Sequence, residues 1–402
     1  MSDLELLALV AVGLYLSECL LWVPRGHVVF RRLPFGRYRP VQPATTLGND
    51  RAGFVPANPL PPLGQTFVCG PWPMSLSSEA AWSFVSPTLA PVRPPQLSRF
   101  VRLDEVREVT QDGGLVLVNG EPFLDAGEHA AASRYAALLR TVARLPRPRR
   151  DAAIERELRR ATDADAARKT VAAFGRRTAP MRMLCQVLFL LLVCVLPMMA
   201  WDARLTAWWP EYLLMLLFSL VGVLVYFAAT HRRLYPEAPG PRWRTFATML
   251  LAPTLATRAC DILSRPLLAR YHPLAAAAAL CDQHTFRQLA RRALLDLRHP
   301  APPVCPDAER QELEQSSRQR LGHALERLVA HQGLDPAELT APLPPEDPAC
   351  LSYCPRCDRQ YVVADGTCAD CGSLALLPFP SAGPCAGPPG LKTETLTTRS
   401  PS

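Results

Sequence analysis

The chain has 402 residues, with 44 Lys and Arg against 36 Asp and Glu, a formal net charge of +8, 42 prolines and 13 cysteines. That length allows two or three folding units, and the proline content argues for several modest modules over one large regular domain. Cysteines scattered through the whole chain disfavour an oxidised, disulfide-framed secreted scaffold and fit a reducing compartment. Lys169 and Lys392 are the only lysines, so arginine carries the positive charge. The arginines lie beside apolar segments, which points to anionic lipid and membrane topology ahead of nucleic acid.

Residues 4–23 (LELLALVAVGLYLSECLLWV) are apolar and long enough for a helix across a hydrocarbon core of about 30 Å. They lack the basic start and small-residue cleavage site of a signal peptide, so they read as a retained first transmembrane helix, with Glu18 near its inner end. Residues 24–98 are rich in proline and glycine, with PLPPLGQ at 59–65 and PVRPPQ at 91–96, and predict an extended cytoplasmic tether.

Residues 99–177 predict a small α+β cytoplasmic module with a trailing charged helix. Alternating apolar residues in FVRLDEVREVT, then LVLV and PFL, give short strands, joined by turns at Asp112-Gly113-Gly114 and Asn119-Gly120. Ala131, Tyr135, Leu138, Leu139 and Val142 recur at helical spacing and form a face that can cover the small sheet. From 150 to 177 the signs alternate (Arg156, Glu157, Arg159, Arg160, Asp163, Asp165, Arg168), which describes a solvated face with local ion pairs ahead of a nucleic-acid-binding stripe.

Residues 183–201 and 212–229 form the second and third predicted transmembrane helices, a hairpin whose connection carries Trp208, Trp209 and Tyr212 as interfacial aromatics. Arg25, Arg31, Arg32, Arg37 and Arg39 follow the first segment. Arg176, Arg177 and Arg182 precede the second, and Arg232, Arg233, Arg242 and Arg244 follow the third. The positive-inside rule then places 24–182 and everything after 230 in the cytoplasm of a bacterial inner membrane, with the N-terminus outside and the C-terminus inside. Residues 246–257 (FATMLLAPTLAT) are interrupted by Pro253 and too short to cross. It reads as interfacial or re-entrant, and the amphipathic helices that follow to 299 lie on the bilayer surface or pack on the cytoplasmic module. Residues 306–333 predict a further cytoplasmic helix with Leu313, Leu321, Leu325 and Leu328 as its stripe.

Near the C-terminus, Cys354, Cys357, Cys368 and Cys371 form a CxxC…CxxC pair at tetrahedral-site spacing. Cys-Pro-Arg-Cys and Cys-Ala-Asp-Cys-Gly resemble the two knuckles of the zinc-ribbon family, with rubredoxin-type CxxC geometry. The resemblance covers about 25 residues within a module expected at 350–380 and implies short strands through Tyr353, Tyr361, Val362, Val363, Leu374, Leu376 and Leu377. It also implies a structural Zn2+ on the four cysteines, with iron as the other ion such a shell holds and Cys350 as a spare ligand. The tail 381–402 reads as disordered.

The expected architecture is therefore a mainly α membrane protein with three transmembrane helices, a small cytoplasmic α+β module and a C-terminal zinc ribbon. No catalytic or cofactor motif stands out, and an enzyme is the less favoured class. The expected function is a membrane-anchored, cytoplasm-facing adaptor or scaffold, with the lipid bilayer and a protein as partners and no nucleic acid. The alternative is a membrane enzyme or transporter accessory subunit with active groups near the hairpin and 246–299, drawing on Glu18, Asp261 and His272.

Overall fold

The computed structural model describes residues 3–24, 27–32, 37–41, 52–56, 65–85, 97–127, 129–202, 207–236, 240–300, 307–371 and 374–379. The PVRPPQ stretch, most of PLPPLGQ, Gly372 and the tail 381–402 lie outside the described residues. The chain is mostly helical, with small antiparallel sheets.

Helix α1 (Asp3–Ser17) is followed by five strands: β1 (Leu20–Pro24), β2 (Val28–Arg32), β3 (Tyr38–Val41), β4 (Ala52–Pro56) and β5 (Thr66–Cys69). β1 pairs with β4, and β3-β2-β5 form a second sheet. This corrects two expectations. The first apolar segment is not a transmembrane helix over 4–23. Its 15-residue helix is about 22 Å long at 1.5 Å per residue, short of the hydrocarbon core. Leu20–Val23 leave the helix for a ladder, in which Leu21 and Val23 are buried with Val29 and Val55. The proline-rich region, expected as a tether, instead supplies strands whose Phe30 and Phe67 are fully buried in the main core.

β6 (Met74–Leu76), β7 (Ala80–Val85) and β8 (Leu97–Arg102) form one sheet, and β9 (Val109–Asp112), β10 (Leu115–Val118) and β11 (Glu121–Asp125) form another. The turn residues dictate the second. Asp112 pairs with Leu115 across Gly113 (φ 57°), and Val118 pairs with Glu121 across Asn119 (φ 53°) and Gly120 (φ 83°). Two-residue loops with positive φ match the twist of the flanking strands. Helix α2 (His129–Arg144) covers this sheet with Ala132, Tyr135, Leu139 and Val142.

The charged stretch is two helices, α3 (Arg147–Ala161) and α4 (Ala164–Arg177), with the break at Asp163, which accepts a hydrogen bond from the Ala166 N–H at 2.8 Å and caps α4. Its charges are not all local. Asp151 and Glu155 pair with Arg320 and Arg327, each at 2.6 Å. Arg150 is buried, with Asp104 at 2.7 Å.

α5 (Ala179–Phe189), a π turn at Leu190–Val195 and α6 (Leu196–Trp201) form one continuous apolar helix, which packs antiparallel on α7 (Trp209–Leu234). Only these two helices are long and apolar enough to cross a membrane among the described residues, and just 33% of each apolar window is buried inside the protein. Gly222 lets the pair approach closely, since a Cβ there would lie 3.0 Å from Leu184 Cδ1. α1 lies against the same pair: Ala8 and Ala11 pack with Leu191, Leu196, Met199 and Tyr212, while Leu6, Leu9, Leu14 and Leu16 are exposed.

Segment 246–257 does not cross. α8 (Gly240–Leu251) stops, and Pro253 starts the four-residue α9 (Pro253–Ala256) at the N-terminal position that proline favours. α10 (Ala259–Ser264), α11 (Pro273–Leu280), α12 (Gln283–Arg298), α13 (Ala308–His331) and α14 (Pro336–Thr340) complete the helical body. One core joins α4, α5 and α7 to α10–α14 and to β2 and β5. The amphipathic helix α12 thus buries Phe286, Ala290 and Leu294 in protein.

Candidate metal centre

The last module contains β12 (Ser352–Tyr353), β13 (Gln360–Tyr361), β14 (Thr367–Cys368), β15 (Leu374–Ala375) and β16 (Leu377–Pro378), in sheets β13-β12-β16 and β14-β15. Tyr353, Tyr361, Leu374 and Leu377 sit in strands as the sequence predicts. Val362 and Val363 are exposed outside them, and Leu376 is buried between β15 and β16.

The first knuckle closes through two backbone hydrogen bonds: Cys354 N–H donates to the Arg359 carbonyl at 2.9 Å, and Asp358 N–H to the Cys354 carbonyl at 3.0 Å. Asp358 takes the left-handed conformation (φ 59°) that such a tight turn requires and that aspartate tolerates better than most residues. Gly366 (φ 148°) lets the second hairpin close, where Leu376 N–H reaches its carbonyl at 3.0 Å.

These turns bring the sulfurs of Cys354, Cys357, Cys368 and Cys371 within 4.8 Å of one another. A tetrahedral ion with metal–sulfur bonds of about 2.3 Å requires sulfurs about 3.8 Å apart, and Cys357 Sγ and Cys368 Sγ are 3.7 Å apart. Cys354 and Cys368 are buried, Cys371 is half-buried and Cys357 faces solvent. The donor set therefore suits a metal ion such as zinc. Cys350 is not part of the group.

The electrostatics favour thiolate at one position. Burial pushes the Cys368 thiol up, but hydrogen bonds from the Tyr361 hydroxyl at 3.1 Å and from the Cys371 and Asp370 N–H groups outweigh it and bring the pKa to about 6. Burial holds Cys357 and Cys371 above the ordinary thiol value, with neighbouring thiols adding to the shift at Cys371. A bound cation reverses that balance by stabilising every thiolate it touches.

The module is docked to the helical body. Arg291 of α12 makes a two-pronged pair with Asp358, Nε at 2.6 Å and Nη2 at 2.8 Å, and its Nη1 donates to the carbonyls of Leu339 (2.6 Å) and Ala341 (2.8 Å). Arg356, between the first two cysteines, pairs with Asp296 of the same helix at 2.8 Å. Within the module Arg359 pairs with Asp370 at 2.5 Å, tying one knuckle to the other. The proline linker folds back as well, since Gln360 Nε2 donates to the Pro344 carbonyl at 3.0 Å.

Of the other candidates, the structure brings Glu18 and Asp261 into one buried cluster and leaves His272 out. Arg258, fully buried, lies over the Tyr15 ring at 5.5 Å, donates to Cys19 Sγ at 2.8 Å and has Asp261 Oδ2 at 3.7 Å. Arg265 pairs with the same oxygen at 2.9 Å, and Thr254 donates to Glu18 Oε1 at 2.9 Å. Burial raises the Glu18 carboxyl, against the opposing effects of the Thr254 hydrogen bond and the Arg258 and Arg265 charges. Sequence reasoning did not single out Arg258, Arg265 or Thr254. The signal was Arg258, Asp261 and Arg265 at helical spacing beside an apolar run. His272 instead caps α11, its Nδ1 accepting from Leu274 N–H at 3.2 Å.

No protein-family model, curated protein or solved structure matches the chain.

Proposed function

We propose that the chain is a bacterial inner-membrane adaptor or scaffold, anchored by α5–α7 and presenting a cytoplasmic body capped by a structural zinc ribbon that mediates protein interaction. The observation that carries this reading is the closed set of four thiols clamped to α12. Four thiolates fill a tetrahedral shell and leave no position for water or substrate, so the ion holds a surface in shape and does not catalyse. Metal binding worth about 10–16 kcal/mol in small zinc modules offsets the near absence of a hydrophobic core here. Iron is the competing ion, and elemental analysis separates the two.

Arginine flanks support the orientation: Arg176, Arg177 and Arg182 stand at one end of the helix pair and Arg232 and Arg233 at the same end of the return.

The test is in-cell crosslinking with mass spectrometry in native membranes. The expected result is a partner whose crosslinks fall on 350–379 and vanish in the Cys354→Ser/Cys357→Ser variant while membrane insertion persists. Unchanged partner recovery from that variant overturns the reading. A membrane enzyme or transporter accessory subunit is the second reading, favoured by the buried Glu18, Arg258 and Asp261 cluster. Full host activity in a combined Glu18→Gln, Asp261→Asn and His272→Asn variant counts against it.

A further inference from the structure

A cleft of about 700 Å³ opens between α2, α3, the start of α4 and the Arg270-Tyr271 turn. That volume lies in the range of small-molecule sites. Its charge is unbalanced. Arg134, Arg156, Arg160 and Arg270 line it against only two acids, Glu157 and Asp163.

Both acids are already committed. Glu157 accepts from Arg134 Nε at 2.7 Å and has Arg160 Nη1 at 3.6 Å, while Asp163 caps α4. Arg134 also donates to the Arg270 carbonyl. Arg270 Nη2 donates to the Thr170 hydroxyl at 3.1 Å, and its guanidinium lies over the Tyr271 ring. Arg156 is exposed and has no acidic partner among the described residues. It stands one turn from Arg160 on α3, and like charges at this spacing repel unless an anion lies between them. The floor is apolar: Leu138, Ala153 and Tyr271 are buried beneath these cations.

We propose that this cleft binds a phosphate ester with an apolar or aromatic body, its phosphate held by Arg156 and Arg160 with Arg270 on the opposite rim and its body laid on the Leu138 and Tyr271 floor. Paired guanidinium groups match the oxygen spacing of a phosphate better than that of a single carboxylate, and a dianion relieves the repulsion that the two arginines impose on α3. The proposal is independent of the zinc ribbon, because among the described residues no hydrogen bond or ion pair joins the cleft to that module.

The experiment is calorimetric titration of the full chain in a non-ionic maltoside detergent with inorganic phosphate, ATP and dioctanoyl phosphatidic acid. The expected result is saturable binding of at least one of the two esters with a Kd under about 1 mM. That affinity should fall about tenfold or more in Arg156→Gln/Arg160→Gln and weaken when salt is raised to about 0.5 M. Preference for ATP identifies a soluble nucleotide-like ligand, and preference for phosphatidic acid identifies a lipid headgroup. Arg156→Gln alone removes an exposed, unpaired side chain and keeps the test valid if the double variant misfolds. No ester binding below about 1 mM, or equal binding by wild type and a folded variant, overturns the proposal.

Discussion

Arg291→Ala is expected to release the ribbon from the helical body without releasing its metal. Arg291 makes four hydrogen bonds that no other residue replaces: two to the Asp358 carboxylate and one each to the Leu339 and Ala341 carbonyls. Arg291 and Asp358 are 15% and 21% exposed, so the pair is shielded but not dry. Breaking a fully buried pair costs about 3–5 kcal/mol, and partial solvent access reduces this to about 2–3 kcal/mol. The remaining Arg356–Asp296 contact is more exposed and holds the module only weakly. Hydrogen exchange measures the change directly. Amides of 341–361 should exchange roughly 30–150-fold faster in the variant, the factor that corresponds to 2–3 kcal/mol, while its metal content equals that of the wild type. Unchanged exchange would show that the docking rests on something other than this arginine. Coincident loss of metal would show that the metal site and the helical body are not separable.

Cys354→Ser should abolish metal binding measured by elemental analysis, whereas Cys350→Ser should leave it intact, because only the first lies in the four-sulfur group. Arg258→Met should destabilise the protein by about 3 kcal/mol, because it strips the central cation from the half-buried Glu18 and the buried Asp261 and leaves Asp261 with Arg265. A fall in Tm of about 3–4 °C in detergent is the readout, and an unchanged Tm would contradict a structural role for the cluster. Burial lowers the His272 pKa to about 4, so the folded protein keeps this imidazole neutral. The unfolded chain takes up the proton first. The associated stability is therefore complete above about pH 6.5, declines as the pH falls toward 4, and amounts to at most about 3 kcal/mol. His272→Asn, which keeps a capping side chain, should flatten the acid limb of a chemical-denaturation series.

What the sequence revealed was whatever depends on neighbours along the chain. The cysteine knuckles, the Asn119-Gly120 turn and the apolar runs of α5–α7 are each set by residues within a few positions of one another, and all three form as expected. Where tertiary pairing decides, local pattern misled. Leu20–Val23 continue the apolar character of α1, yet they join β4, more than thirty residues on, and the helix ends too short to cross. Phe30 and Phe67 sit in proline-rich surroundings that suggest a tether, but their strands fit between helices from the far end of the chain. The α3–α4 break was readable in principle, since Asp163 before an alanine-rich run is a helix start. The ribbon's dock was not, because Arg291 and Asp358 are 67 positions apart and no spacing rule links them.

The account depends on the thiol cluster and the arginine flanks sharing the reducing side of one bilayer. Fusing the C-terminus in turn to a fluorescent protein that matures in the cytosol and to an alkaline phosphatase active only outside it tests this in living cells. Bright fluorescence with no phosphatase activity is the predicted outcome. Phosphatase activity without fluorescence would place the cysteines on the oxidising side and contradict the account.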